Sequence, residues 1–185
     1  DAYGIYEIER PAGGEDLEEA SQLYRRIGDT ALAIRCDHEL AEYYVNAGRF
    51  EDAIEAWMRA GQPLRAGRTA TVALNEGRMR TSGAAFRASL RAAEETRDFV
   101  LLARLMEAEG RLLDAGHVWQ RADNPERAAQ CFRRAGRLEE AARAEQIAGR
   151  PHESAQLKVR RLLDLHEELR LKSMQPDHLE EHAFI

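Results

Sequence analysis

The 185-residue chain predicts an all-α protein, an α-solenoid of about ten short antiparallel helices arranged as five pairs. Three observations predict it. The 31 alanines and 20 leucines make the two best apolar helix formers the dominant residues. No stretch between residues 15 and 172 alternates apolar and polar with the period of two that a half-buried strand needs. Above all, the chain repeats itself every 13 residues.

Four windows align without gaps: GRFEDAIEAW from Gly48, GRLLDAGHVW from Gly110, DNPERAAQCF from Asp123 and GRLEEAARAE from Gly136, with a looser fifth from Gly149. Five positions after each breaker stands Ala53, Ala115, Ala128 or Ala141. Nine positions after it comes Trp57, Trp119, Phe132 or, exceptionally, Glu145, and twelve after it Ala60, Ala122, Ala135 or Ala148. Offsets of 2, 5, 6, 9 and 12 are spaced by three and four, which places them on one stripe of a helix. The alanine lets a neighbouring helix approach, and the aromatic fills the wider gap one turn later. Glycine at the breaker suits the left-handed conformation that closes a helix. Units of about ten helical residues are marginal alone, so they must stack on their neighbours.

The elements follow in order. Tyr3, Ile5, Tyr6 and Ile8 favour β structure, and the break from Pro11 to Gly14 makes residues 1–14 the expected end of a preceding domain or a linker, so that the chain is expected to be part of a longer protein. Helices are expected at 15–27 and 30–47, then at 50–60 after Gly48. The next, at 63–76, opens on Pro63, which suits a first helical position. Helices at 81–96 and 99–109 precede the run of 13-residue units at 112–122, 125–135 and 138–148. Asn124 is the expected cap of the helix that starts at Pro125. A longer, leucine-rich helix at 152–172 is the expected terminal cap, or else a face for a partner helix or a second copy. Residues 173–185 read as a tail or linker. The shape expected of the whole is a right-handed or gently curved solenoid.

The recurrence of Ala, aromatic, Ala and Gly through Gly48–Gly61 and Gly110–Gly149 resembles the tetratricopeptide-like α-solenoids, nearest the short-helix version of vesicle-coat and intraflagellar-transport scaffolds. The resemblance covers residues 15–172. Two units span 26 residues here and not 34, and the aromatic-glycine-tyrosine signature is absent, so no peptide-clamp residue is carried over. What the resemblance implies is a TPR-like scaffold with a binding role and no reaction.

Composition narrows the function further. No apolar run reaches the roughly 18–20 residues of a membrane span. Two cysteines, Cys36 and Cys131, cannot make a disulfide framework or a metal cluster by themselves, and both sit within expected helices as structural thiols. The net charge of −6 is uneven: residues 1–56 hold 14 acids and 5 bases, residues 57–150 hold 12 and 17, and residues 151–185 hold 7 and 5. An acidic total disfavours generic nucleic-acid binding.

The strongest surface feature is a cluster in residues 62–93, where Arg65, Arg68, Arg78, Arg80, Arg87 and Arg91 face one acid, Glu76. Arg87 and Arg91 are four apart on one helix. Thr69, Thr71, Thr81 and Ser82 interleave hydroxyls. Converging guanidinium groups suit a phosphate, a carboxylate-rich peptide or an acidic segment of another copy; the alternative is a solvated face paired with acids of adjacent helices. Trp57, Trp119 and Phe132 read as core wedges and not a stacking platform, because they share one place in the repeat. Of the adjacent Tyr43 and Tyr44, one ring is expected inside. His178, Glu181 and His182 spell an inverted zinc-protease motif, but Pro176 lies just upstream and no third ligand follows. There is no phosphate-binding glycine loop and no nucleophile elbow. The expectation is therefore a non-enzymatic, cytoplasmic protein–protein interaction scaffold with no cofactor and no metal, binding a protein partner or a neighbouring domain. A nucleic-acid-binding helical repeat using the arginines of residues 62–93 is the alternative.

Overall fold

A computed structural model describes residues 13–174. Among them are ten α-helices and no strand: α1 (Gly14–Ile27), α2 (Thr30–Asn46), α3 (Phe50–Arg59), α4 (Pro63–Asn75), α5 (Ala84–Glu95), α6 (Phe99–Ala108), α7 (Leu112–Arg121), α8 (Pro125–Arg134), α9 (Leu138–Ile147) and α10 (Pro151–Met174). The expected all-α class and the ten helices are borne out. The largest shift is at α5, expected from residue 81. Gly83 takes φ +114°, ψ −176°, which keeps Thr81 and Ser82 in a bend, so the helix starts at Ala84. Most of the segment 1–14 and nearly all of the tail 173–185 lie outside the described residues.

Breakers and caps act as the repeat requires. Gly48, Gly61, Gly110, Gly136 and Gly149 all have positive φ, and Asp123 takes the same place at φ +54°. At Gly136 the closing pattern is explicit: its N–H donates to the Arg133 carbonyl at 3.1 Å, and the next N–H, of Arg137, reaches back to Phe132 at 2.8 Å. Asp29, Asp98 and Asn124 each accept from a backbone N–H in the first turn of α2, α6 and α8, at 3.0, 2.9 and 3.1 Å. Pro63, Pro125 and Pro151 occupy first helical positions.

The chain forms two compact units, one up to Glu109 and one from Gly110. In the first, each helix from α1 to α6 packs on the next, and α3 also packs on α5. In the second, α7, α8, α9 and α10 pack in succession. The repeat positions make both cores. Ala53, Ala115, Ala128 and Ala141 are wholly buried, and Trp57, Trp119 and Phe132 are buried beside them. The reason for the alternation of small and large is visible at Gly116: a Cβ there would lie 2.5 Å from the Phe132 ring, so α7 must be bare where the α8 aromatic lands. His117 meets the same ring edge-on, as His38 meets Trp57, with centroids 5.1 and 5.0 Å apart. Tyr44 is inside and Tyr43 half outside.

Two carboxylates break the apolar rule in different ways. Asp37 of α2 is fully buried but accepts from Ser21 Oγ at 2.8 Å, from Arg59 Nε at 3.1 Å and from Arg25, which ties α1, α2 and α3 together. Glu145 stands where the repeat elsewhere puts an aromatic. It is equally buried, and neither of its oxygens has a hydrogen bond; Arg133 and Arg150 approach at 3.3 and 3.8 Å.

Candidate partner-binding site

The six arginines singled out by the sequence fall into two sets. Arg65 of α4 lies with its guanidinium 4.8 Å over the Trp57 ring and donates to Glu42 of α2. Arg127 of the second unit lies 5.8 Å over Trp119. Both arginines sit four positions after a breaker, so Arg65 occupies a repeat position that shelters the buried aromatic. Arg78 covers the Phe50 ring at 4.8 Å and donates to the Gly48 carbonyl at 2.7 Å. Arg80 gives both its backbone N–H and its Nε to the Glu51 carboxylate, each at 2.8 Å. These bonds hold the Glu51 carboxyl below its usual range and raise the Arg80 guanidinium. Arg78 and Arg80 thereby fasten the eight-residue connection between α4 and α5 to the start of α3, around an open hollow of about 430 Å³.

Arg68, Arg87 and Arg91 form no ion pair among the described residues, and all three are exposed. Of the interleaved hydroxyls, Thr69 and Thr71 are spent on carbonyls of their own helix, each at 3.0 Å. The structure therefore does not bring all six cations to one point. It leaves Arg87 and Arg91 exposed one turn apart on α5, and of the two Arg91 lines a groove.

That groove runs between α3 and α5. Ala84, Ala88, Arg91 and Glu95 supply one wall at spacings of four, three and four; Glu55, Met58 and Arg59 supply the other. Small side chains at 84 and 88 keep the two helices from filling the space, which measures about 450 Å³. The floor is Met58 and the alanines. The rim carries both signs: Arg91, Glu55 and Glu95 have no ion pair among the described residues, while Arg59 is anchored through Nε to buried Asp37. A groove of this chemistry accommodates a peptide segment or helix edge, with small apolar contacts below and charge-assisted hydrogen bonds at the rim. Sequence reasoning missed it because α3 and α5 belong to different repeat units. The legible signal was the alanine pair at 84 and 88 running into Arg91 and Glu95 on one stripe.

Other candidates carry less. No group of three or more His, Cys, Asp or Glu is placed to hold a metal ion among the described residues, and His178 and His182 lie outside them. Burial, followed by the neighbouring Glu39 and Asp37, pushes the Cys36 thiol up, away from the reactive thiolate. No helix among the described residues is long and apolar enough to cross a membrane.

No family model and no curated protein matches the chain. Among solved structures it is similar to the MamA protein, at 13% identity over 93% of this chain and 97% of that one, with a TM-score of 0.38. It is also similar to a Podosopora anserina chain of kinesin light chain type with nearly identical TPR-like repeats, at 15% identity over 91% and 100% of the two chains, with a TM-score of 0.37. The overlaps are nearly complete in length but the superpositions are loose, and the fold assignment rests on the chain's own helices.

Proposed function

We propose that the protein is a helical-repeat interaction scaffold that holds a protein segment in the groove between α3 and α5. The observation that carries the reading is the open groove itself, floored by Ala84, Ala88 and Met58 and rimmed by the unpaired Arg91, Glu55 and Glu95. Of the six arginines, Arg87 and Arg91 take the partner's carboxylates, with Arg68 as a further exposed cation. Arg65, Arg78 and Arg80 act indirectly, by holding α4 and its connection against α2 and α3. The role is binding and not chemistry, and the partner is a protein or a neighbouring domain.

Nucleic acid is the less favoured ligand. Three of the six arginines are already matched by Glu42, Glu51, Glu76 and the Gly48 carbonyl, and the chain as a whole is acidic. The test is capture from a lysate of the source cells with nuclease present. The same discrete protein should be retained by the wild type and lost by Arg87→Glu/Arg91→Glu, with helicity unchanged. Retention that disappears with nuclease, or that survives the double reversal, refutes the assignment.

A further inference from the structure

One arginine lines two hollows. Arg59, the last residue of α3, belongs to the groove between α3 and α5 and also to a smaller hollow of about 160 Å³ where α1, α2 and α3 meet. Glu18, Gln22 and Arg25 of α1 line the smaller hollow with it, above Ser21 and Asp37. The groove therefore continues past Arg59 to α1, within the first compact unit.

Asp37 fixes both cations of this hollow. Its side chain is fully buried; one oxygen accepts the Arg59 Nε at 3.1 Å and the other accepts from an Arg25 terminal nitrogen. Ser21, also buried, locks the carboxylate with its Oγ at 2.8 Å, and Arg25 reaches the Arg59 carbonyl at 3.4 Å. With three donors Asp37 is spent. Arg59 is not. It is held through Nε alone, its two terminal nitrogens make no hydrogen bond among the described residues, and its side chain is 38% exposed. Arg80, by contrast, gives Nε and a terminal nitrogen to Glu51. The remaining acid of the hollow, Glu18, accepts from the Tyr44 hydroxyl at 3.2 Å, and no acid but Asp37 pairs with Arg25 or Arg59 among the described residues. The end-on pair of a guanidinium matches the two oxygens of a carboxylate. An arginine whose rotamer is already set by a buried anchor loses little further freedom on binding one.

We propose that Arg59 and Arg25 form a carboxylate-binding site, with Asp37 as its positioning residue, for an acidic side chain of the segment held between α3 and α5; the inference rests on that groove being a binding surface. The partner segment is then acidic. It crosses α3 toward α1, presents one carboxylate to the free fork of Arg59 and meets Arg91 farther along the same run.

The test is an NMR titration of the whole chain with a capped hexaglutamate peptide, read at the arginine Nε–Hε groups, with capped hexaglutamine as control. Saturable shifts are expected at Arg25, Arg59 and Arg91 with hexaglutamate alone, and none at Arg143, an exposed arginine of α9. Arg59→Lys keeps the charge but has no fork, and should weaken binding about tenfold. Gln22→Glu puts a competing carboxylate at the mouth of the hollow without touching the Asp37 network. It should weaken binding by a similar factor, and it stays informative if Arg59→Lys disturbs the fold. Shifts at Arg91 without Arg25 and Arg59 overturn the proposal and leave the α3–α5 groove standing. Shifts at Arg25 and Arg59 without Arg91 uphold the carboxylate site and count against the groove. Equal shifts at Arg143, equal shifts with hexaglutamine, no shifts at all, or an affinity indifferent to both substitutions overturn it as well.

Discussion

Glu145 and Asp37 offer a matched pair of perturbations with opposite expected signs. Both are buried carboxylates, but Glu145 has no hydrogen bond to either oxygen while Asp37 has three donors. Burying an ion costs several kcal/mol after relaxation, and only good geometry with hydrogen bonds repays it. Around Glu145 the attraction comes from Arg133 and Arg150, whose side chains are 40% and 39% exposed and therefore screened. Glu145→Met removes the buried charge, keeps the volume and strands nothing: both guanidinium groups can rewet, and Arg150 retains Glu126 at 2.6 Å. Replacement of a poorly compensated buried charge by an apolar side chain ranges from neutral to about 4 kcal/mol stabilising, and about 2 kcal/mol is expected here. For a chain of this length that is about 4–8 °C in midpoint. Asp37→Leu should instead cost about 2 kcal/mol, chiefly because the Ser21 hydroxyl is left buried without an acceptor. The two tryptophans lie one in each unit, so Trp119 fluorescence in a Trp57→Phe background reads the Glu145 change in urea, and the converse background reads Asp37. If Glu145→Met destabilises its unit by more than about 1 kcal/mol, the argument that hydrogen-bond satisfaction sets the sign is wrong.

Three further outcomes follow from the same geometry. Gly116→Ala should lose about 1–2 kcal/mol despite alanine's better helix propensity, because its Cβ overlaps the Phe132 ring; Phe132→Leu in that background should recover much of the loss in a double-mutant cycle. Glu51 has a folded pKa below its unfolded value, so its contribution to stability is present above the ordinary glutamate value of about 4.3 and is lost as pH falls through the lowered one. Acid titration followed by circular dichroism should therefore show the Arg80→Gln variant unfolding at higher pH than the wild type. Asp98→Ala should cost about 1 kcal/mol through the lost bond to the Leu101 N–H, measured by thermal melting of the first unit.

Much of the fold was legible because its determinants are local. A breaker with positive φ, an alanine five positions on and an aromatic nine on define each short helix and the stripe it buries, and these recur at fixed spacing. The exceptions have local causes too: α5 starts late because Gly83 holds an extended loop. The surface was less legible. Arg80 and Glu51 are 29 residues apart, as are Arg104 and Asn75, and no periodicity links such partners. Arg65 was the exception that could have been found, since Arg127 follows Trp119 by the same eight residues that separate Arg65 from Trp57. Nor does composition tell a satisfied buried carboxylate from an unsatisfied one; at Glu145 the departure from the aromatic position was visible, but its burial was not.

Whether the groove between α3 and α5 binds a protein is tested by placing a photo-crosslinking amino acid at Ala84, an exposed position on the groove wall, in the cells from which the chain derives. One discrete protein adduct is expected at position 84, lost when Arg91→Glu is added, and none at the exposed control position Gln130 on α8. An adduct that ignores Arg91→Glu, or that forms equally at position 130, would contradict the assignment of the groove between α3 and α5 as the binding surface.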